Sequence, residues 1–120
     1  MAEMANTPKP SAWEGAIRAE RFARSVMNRY RKEITIPVYR ALDDGAAIYE
    51  EARSAEEGWA PYTAAHYDAV KALLETPAPH LSAIAEKIDI GMTVSFFENG
   101  EEVSDVMKVL ASDIRRLTAA

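Results

Sequence analysis

A chain of 120 residues with no cysteine has the size of one domain, large enough to bury a core unaided, and excludes disulfides and thiolate zinc sites. Its formal net charge of −5 argues against a general nucleic-acid binder, which is usually basic, and suits a protein that meets a partner surface. No apolar run is long enough to span a bilayer, and residues 1–10 lack the basic and apolar regions of a signal peptide, so a cytoplasmic protein with no membrane role is expected. The charges are uneven: residues 1–40 hold eight Lys/Arg against four Asp/Glu, and residues 41–60 hold six acids against Arg53 alone.

In chain order, residues 1–10 read as a flexible arm. Ser11 and Glu14 form a Ser-x-x-Glu capping box that starts a helix. Ala16, Ala19, Ala23, Val26, Met27, Tyr30 and Ile34 recur at helical spacing on one face, widened by Trp13, Ile17 and Phe22. Pro37 predicts a kink, because proline lacks a donor and crowds the preceding turn. The apolar spacing resumes through Val38, Leu42, Ala46 and Tyr49, so the helix is expected to run to about Glu51. The rival is a hairpin turning at Asp43-Asp44-Gly45, but its second strand would be short and alanine-rich.

Residues 53–59 read as a connection, and Pro61 suits the first turn of a second helix. Tyr62, His66, Ala69, Val70 and Leu73 form that helix's stripe, which ends at Glu75. Thr76 is the expected cap of a third helix. Its stripe of Leu81, Ile84, Ala85, Ile88, Met92 and Phe96 runs through Gly91, at a cost of about 1 kcal/mol relative to alanine. Asn99, with Glu102, is the expected cap of the last helix, whose stripe is Val103, Val106, Met107, Leu110, Ile114 and Leu117. Acids in its first turns and Arg115 and Arg116 in its last both favour the helix dipole. The expected fold is therefore all-α: a helical bundle of about four helices, the first long and kinked at Pro37, forming a single domain over residues 11–120.

Ala12-Trp13, Ile36-Pro37-Val38-Tyr39, Leu73-Leu74-Glu75-Thr76-Pro77-Ala78-Pro79 and Arg115-Arg116-Leu117 together carry a resemblance. Over roughly residues 12–118 the chain resembles small uncharacterised all-helical proteins of alphaproteobacteria, often found near prophage genes, that share a Thr-Pro-Ala-Pro-x-Leu element. His80 stands where that group is expected to have aspartate, which weakens the cap. The resemblance implies a helical fold and a phage setting. It implies no chemistry, and it carries over no site residue.

The residues themselves give little chemistry. His66 and His80 are the only histidines. His66 lies on an apolar face and reads as a core histidine bonded to a neighbour rather than an acid–base group. The acid pairs at 43–44, 50–51 and 56–57 lack calcium-loop spacing and read as a solvated face. The serines lack a nucleophile setting and the glycines form no phosphate loop. No catalytic residue, metal ligand or cofactor is expected. The candidate interaction residues are Arg18, Arg21, Arg24, Arg29 and Lys32, with Arg31, opposite the apolar stripe of the first helix and diluted by Glu14 and Glu20. Trp59 is a further candidate, as an interface anchor.

These features lead to the expectation of a non-enzymatic interaction protein of prophage or mobile-element type. It would bind a protein partner, a second copy included, through its acidic surface or exposed aromatics. Inhibition of a host nucleoprotein is one specific form. The alternative is a nucleic-acid-associated accessory protein using the arginine face, with weak binding.

Overall fold

The computed structural model describes residues 11–119, so the expected arm at 1–10 lies outside the described residues. All regular structure among them is helical: α1 (Ala12–Tyr30), a π turn (Arg31–Thr35), α2 (Ile36–Asp43), α3 (Tyr49–Leu74), α4 (Leu81–Thr93), a 3₁₀ turn (Phe96–Glu98) and α5 (Gly100–Thr118). The pieces from Ala12 to Asp43 join as one bent helix of 32 residues, giving four helices among the described residues. No helix among them is long and apolar enough to cross a membrane.

The first helix begins as its cap requires, with Glu14 N–H donating to Ser11 Oγ at 3.1 Å. Its passage through Pro37 has a specific device. Proline has no N–H for the Glu33 carbonyl, and its ring presses on that group. The π turn widens the helix just before it, with Ile36 N–H reaching back five residues to Arg31 O. Helix then resumes, but it stops at Asp43, short of Glu51. Gly45 takes the left-handed backbone conformation (φ +74°). Gly45 N–H bonds Leu42 O at 3.1 Å and Ala46 N–H bonds Ala41 O at 2.7 Å, a Schellman end with glycine in the position that favours it. Asp-Asp-Gly is thus a turn, but one between two helices rather than two strands.

The expected connection at 53–59 is instead the first half of α3, and Pro61 sits inside that helix. The core stripe there is built from Ala52 and Ala55, both buried, whose small side chains hide the periodicity among charged neighbours. Gly58 is required by close packing: a Cβ there would lie 2.3 Å from Tyr30 Oη. That hydroxyl donates to Ala55 O at 2.8 Å.

Two compact units divide the described chain: residues 11–18 with 71–119, and Ala19–Val70. In the first, α4, α5 and the 3₁₀ turn pack together around Leu73, Leu74, Ile84, Phe96, Val106 and Leu110, all buried. His80, not Thr76, caps α4, its Nδ1 accepting Ala83 N–H at 3.1 Å. Thr76 instead donates its hydroxyl to Ala72 O. The α4 helix ends at Thr93, before the expected Phe96. Ser95 adopts φ +55°, and this tight reversal returns Phe96 to the core. Gly91 lies where a Cβ would meet the Phe97 ring at 2.9 Å and Leu74 Cδ1 at 3.2 Å. The glycine that weakens the helix is what lets Phe97 lie against it.

Asn99 occupies the N-cap position of α5 without a side-chain cap bond; its Nδ2 donates to Glu102 Oε2 at 3.3 Å. The buried face of α5 is also shifted from expectation. Met107 and Ile114 are exposed, while Asp113 is buried beside Val106 and Leu110. Phe22, expected at the edge of the α1 stripe, is exposed as well.

Candidate functional site

Three groups of side chains are candidates for function. The first lies in the unit of α4 and α5. Lys87 and Asp113 are both fully buried, with Nζ 2.6 Å from Oδ2. Lys87 also donates to Leu74 O at 3.2 Å and Thr76 O at 2.8 Å. Asp113 Oδ1 accepts from Ala78 N–H at 3.0 Å and from Arg116 at 2.8 Å, and Arg116 reaches Ala78 O at 2.7 Å. Burial alone pushes the Asp113 carboxyl up. The Lys87 hydrogen bond, the Ala78 N–H, the Lys87 charge and Arg116 outweigh it and hold the carboxyl below its usual range. Every partner is a side chain of the cluster or a backbone group of the 74–78 segment, so this cluster fixes a loop.

The second group lies in the unit Ala19–Val70. His66 is buried where the apolar face placed it, and its Nε2 lies 2.8 Å from Glu20 Oε2. Glu20 does not dilute an exposed arginine face: it is fully buried, and Arg24 Nε reaches its Oε2 at 3.3 Å. Glu20 Oε1 has no hydrogen-bond partner. Both members of the pair are buried, and their contact joins α1 to α3.

The third group is surface. Arg18, Arg21, Arg24, Arg29, Arg31 and Lys32 are all exposed, Arg24 being tied to Glu20. Trp59 is half-buried, edge-on to Tyr30 with ring centroids 6.4 Å apart. Around the pieces 30–43 and 48–63 run three open clefts. One, of about 530 Å³, is lined by Tyr30, Ile34, Val38, Ile48, Glu50, Glu51, Ser54 and Ala55. A second, of about 390 Å³, is lined by Thr35, Glu56, Trp59, Ala60 and Thr63. A third, of about 220 Å³, shares Glu56 and adds Tyr39, Leu42, Tyr49, Ala52 and Arg53. Tyr39 donates its hydroxyl to Glu56 Oε1 at 2.5 Å, and this bond to a carboxylate holds the phenol above the usual tyrosine range.

Trp59, expected as an interface anchor, is half-buried, whereas Ile34, expected in the apolar stripe, and Ile48 are exposed. Ile48 is 61% exposed and its neighbour Tyr49 74%. The available signal was the Asp43-Asp44-Gly45 turn, because it separates α2 from α3 and leaves residues 46–48 outside both helices. Among the described residues no group of three or more His, Cys, Asp or Glu is placed to hold a metal ion. Compared with known proteins, the chain matches no family model, no curated protein and no solved structure.

Proposed function

We propose that this chain is a non-enzymatic interaction protein that binds a basic, amphipathic segment of a protein partner in the cleft between Ile34, Val38 and Ile48. The observation that carries the reading is the exposure of Ile34, Ile48 and Tyr49 beside Glu50 and Glu51. Clustered apolar side chains left in water beside polar ones mark a surface that another molecule covers. The acids select for positive charge on that molecule and disfavour a phosphate backbone.

Proteins that handle nucleic acid present such basic segments. Inhibition of a host nucleoprotein by a cytoplasmic mobile-element product is the form of the function that this charge pattern fits. The resemblance to prophage-associated helical proteins supports the same setting. The alternative, an accessory protein that meets nucleic acid, is supported by the exposed arginines of α1 and the π turn.

The test is titration of the isotope-labelled chain with an amphipathic Lys/Leu helical peptide, with a Glu/Leu peptide as control. Saturable shifts at Ile34, Val38 and Ile48 are expected with the Lys/Leu peptide alone, and are expected to be lost in Ile48→Glu. No saturable shift, or shifts centred on the α1 arginines, would overturn the reading.

A further inference from the structure

We propose that the cleft lined by Thr35, Glu56, Trp59, Ala60 and Thr63 is a receptor for one arginine side chain of that protein partner. The inference rests on the reading that the partner is a protein with a basic surface, and it names a second point of contact.

The cleft, of about 390 Å³, is roomy for a single side chain. It has an aromatic wall and an anionic group, the pair of features that receives an organic cation. Both are held in place. The Trp59 indole rests edge-on against Tyr30, itself anchored through its hydroxyl to Ala55 O. The Glu56 carboxylate receives the Tyr39 hydroxyl on Oε1, which orients it and leaves Oε2 for a ligand. Thr35 lines the same cleft, and its buried Oγ1 has no hydrogen-bond partner. In an ordinary helix that hydroxyl bonds a carbonyl one turn back. Here it makes no such bond, so a hydroxyl oxygen remains beside the cleft for an incoming donor.

The chemistry selects guanidinium over the alternatives. A phosphate or carboxylate ligand would meet Glu56 in a segment with six acids and one base over residues 41–60. An ammonium can pair with Glu56 but is a strongly hydrated point charge. The flat, weakly hydrated guanidinium can lie on the indole and donate to Glu56 Oε2 together.

The experiment uses the full chain carrying Trp13→Phe. The chain has two tryptophans, so Trp59 is then the sole indole reporter. The probes are acetyl-Gly-Arg-Gly-amide, its citrulline counterpart, its lysine counterpart and methylguanidinium. Saturable change in Trp59 fluorescence is expected with the arginine peptide, about tenfold weaker with citrulline and weaker with lysine. Glu56→Gln, which keeps an acceptor for Tyr39 and whose folding is checked by circular dichroism, should weaken the arginine peptide about tenfold. Glu57→Gln, which lines no part of the cleft, should not. Equal binding of citrulline, or no effect of Glu56→Gln, would overturn the inference. Methylguanidinium binding as tightly as the peptide would assign the cleft to a free small cation and overturn it too. A chain that binds the Lys/Leu peptide at Ile48 but shows no arginine response at Trp59 loses this inference and keeps the broader function.

Discussion

Lys87 Nζ stands 2.6 Å from Asp113 Oδ2, with both side chains closed off from water. The pair joins α4 to α5 and also completes the Thr76-Pro77-Ala78-Pro79 segment. Pro77 and Pro79 have no N–H to offer, and the carbonyls at the end of α3 have no helical partner. Lys87 supplies donors to Leu74 O and Thr76 O, and Asp113 accepts from Ala78 N–H. A backbone segment that cannot satisfy itself is satisfied by two buried charges that also neutralise each other.

Removing one of those charges leaves the other buried and alone. Lys87→Met is therefore expected to cost about 3–5 kcal/mol, and Asp113→Leu a similar amount. The double variant should cost less than the sum, because neither charge is then stranded. Chemical denaturation midpoints at unchanged slope would show this. Strict additivity would contradict the coupling.

Acid should reveal Asp113. Its folded carboxyl is held below its unfolded value, so the resulting stability is present above about pH 3.9 and lost as pH falls through the lower, folded value. The urea midpoint is expected to fall below about pH 4, and Asp113→Asn, though less stable at neutral pH, should show a shallower fall. Equal acid slopes in the two proteins would contradict this sign.

The Glu20–His66 pair yields a different expectation. Glu20→Leu strips His66 of its only described hydrogen-bond partner, and a buried polar group left unpaired costs about 1–3 kcal/mol. Glu20→Gln keeps an acceptor and should cost less. Denaturation of the two variants side by side decides it. An equal cost would mean that the charge, not the hydrogen bond, is what matters.

The helices were legible where large apolar residues repeat and caps are explicit. Ser11 opens α1, and Val106 and Leu110 mark the buried face of α5. Legibility failed where the core is made of alanine, as at Ala52 and Ala55, and a helix half was read as a connection. It failed also where a charge sits in the core. Glu20 meets His66 46 residues on, and Lys87 and Asp113 reach backbone groups 13 and 35 residues away, and no local pattern announces such pairings. The surface clefts depend on two local events, the π turn before Pro37 and the Schellman end at Gly45. Proline and Asp-Gly signalled a disturbance at each place, though not the geometry it would take.

The arginines of α1 set the rival reading. Labelled duplex should bind the wild type weakly at low salt and be lost near physiological salt, where the Debye length is about 8 Å and neighbouring acids blunt distant attraction. Alanine at Arg18, Arg21 and Arg24 should reduce even the low-salt binding. Tight binding at physiological salt, abolished by those changes, would promote nucleic acid to the primary partner.

The most direct measurement is comparative capture from the cells that encode the chain, with nuclease added. Wild type, Ile48→Glu and the Arg18, Arg21 and Arg24 triple alanine variant would be immobilised in parallel. Retained proteins would then be released with the Lys/Leu peptide. The account predicts a basic protein retained by wild type and by the arginine variant, absent from Ile48→Glu and displaced by the peptide. Retention that survives Ile48→Glu but needs the arginines or intact nucleic acid would contradict it.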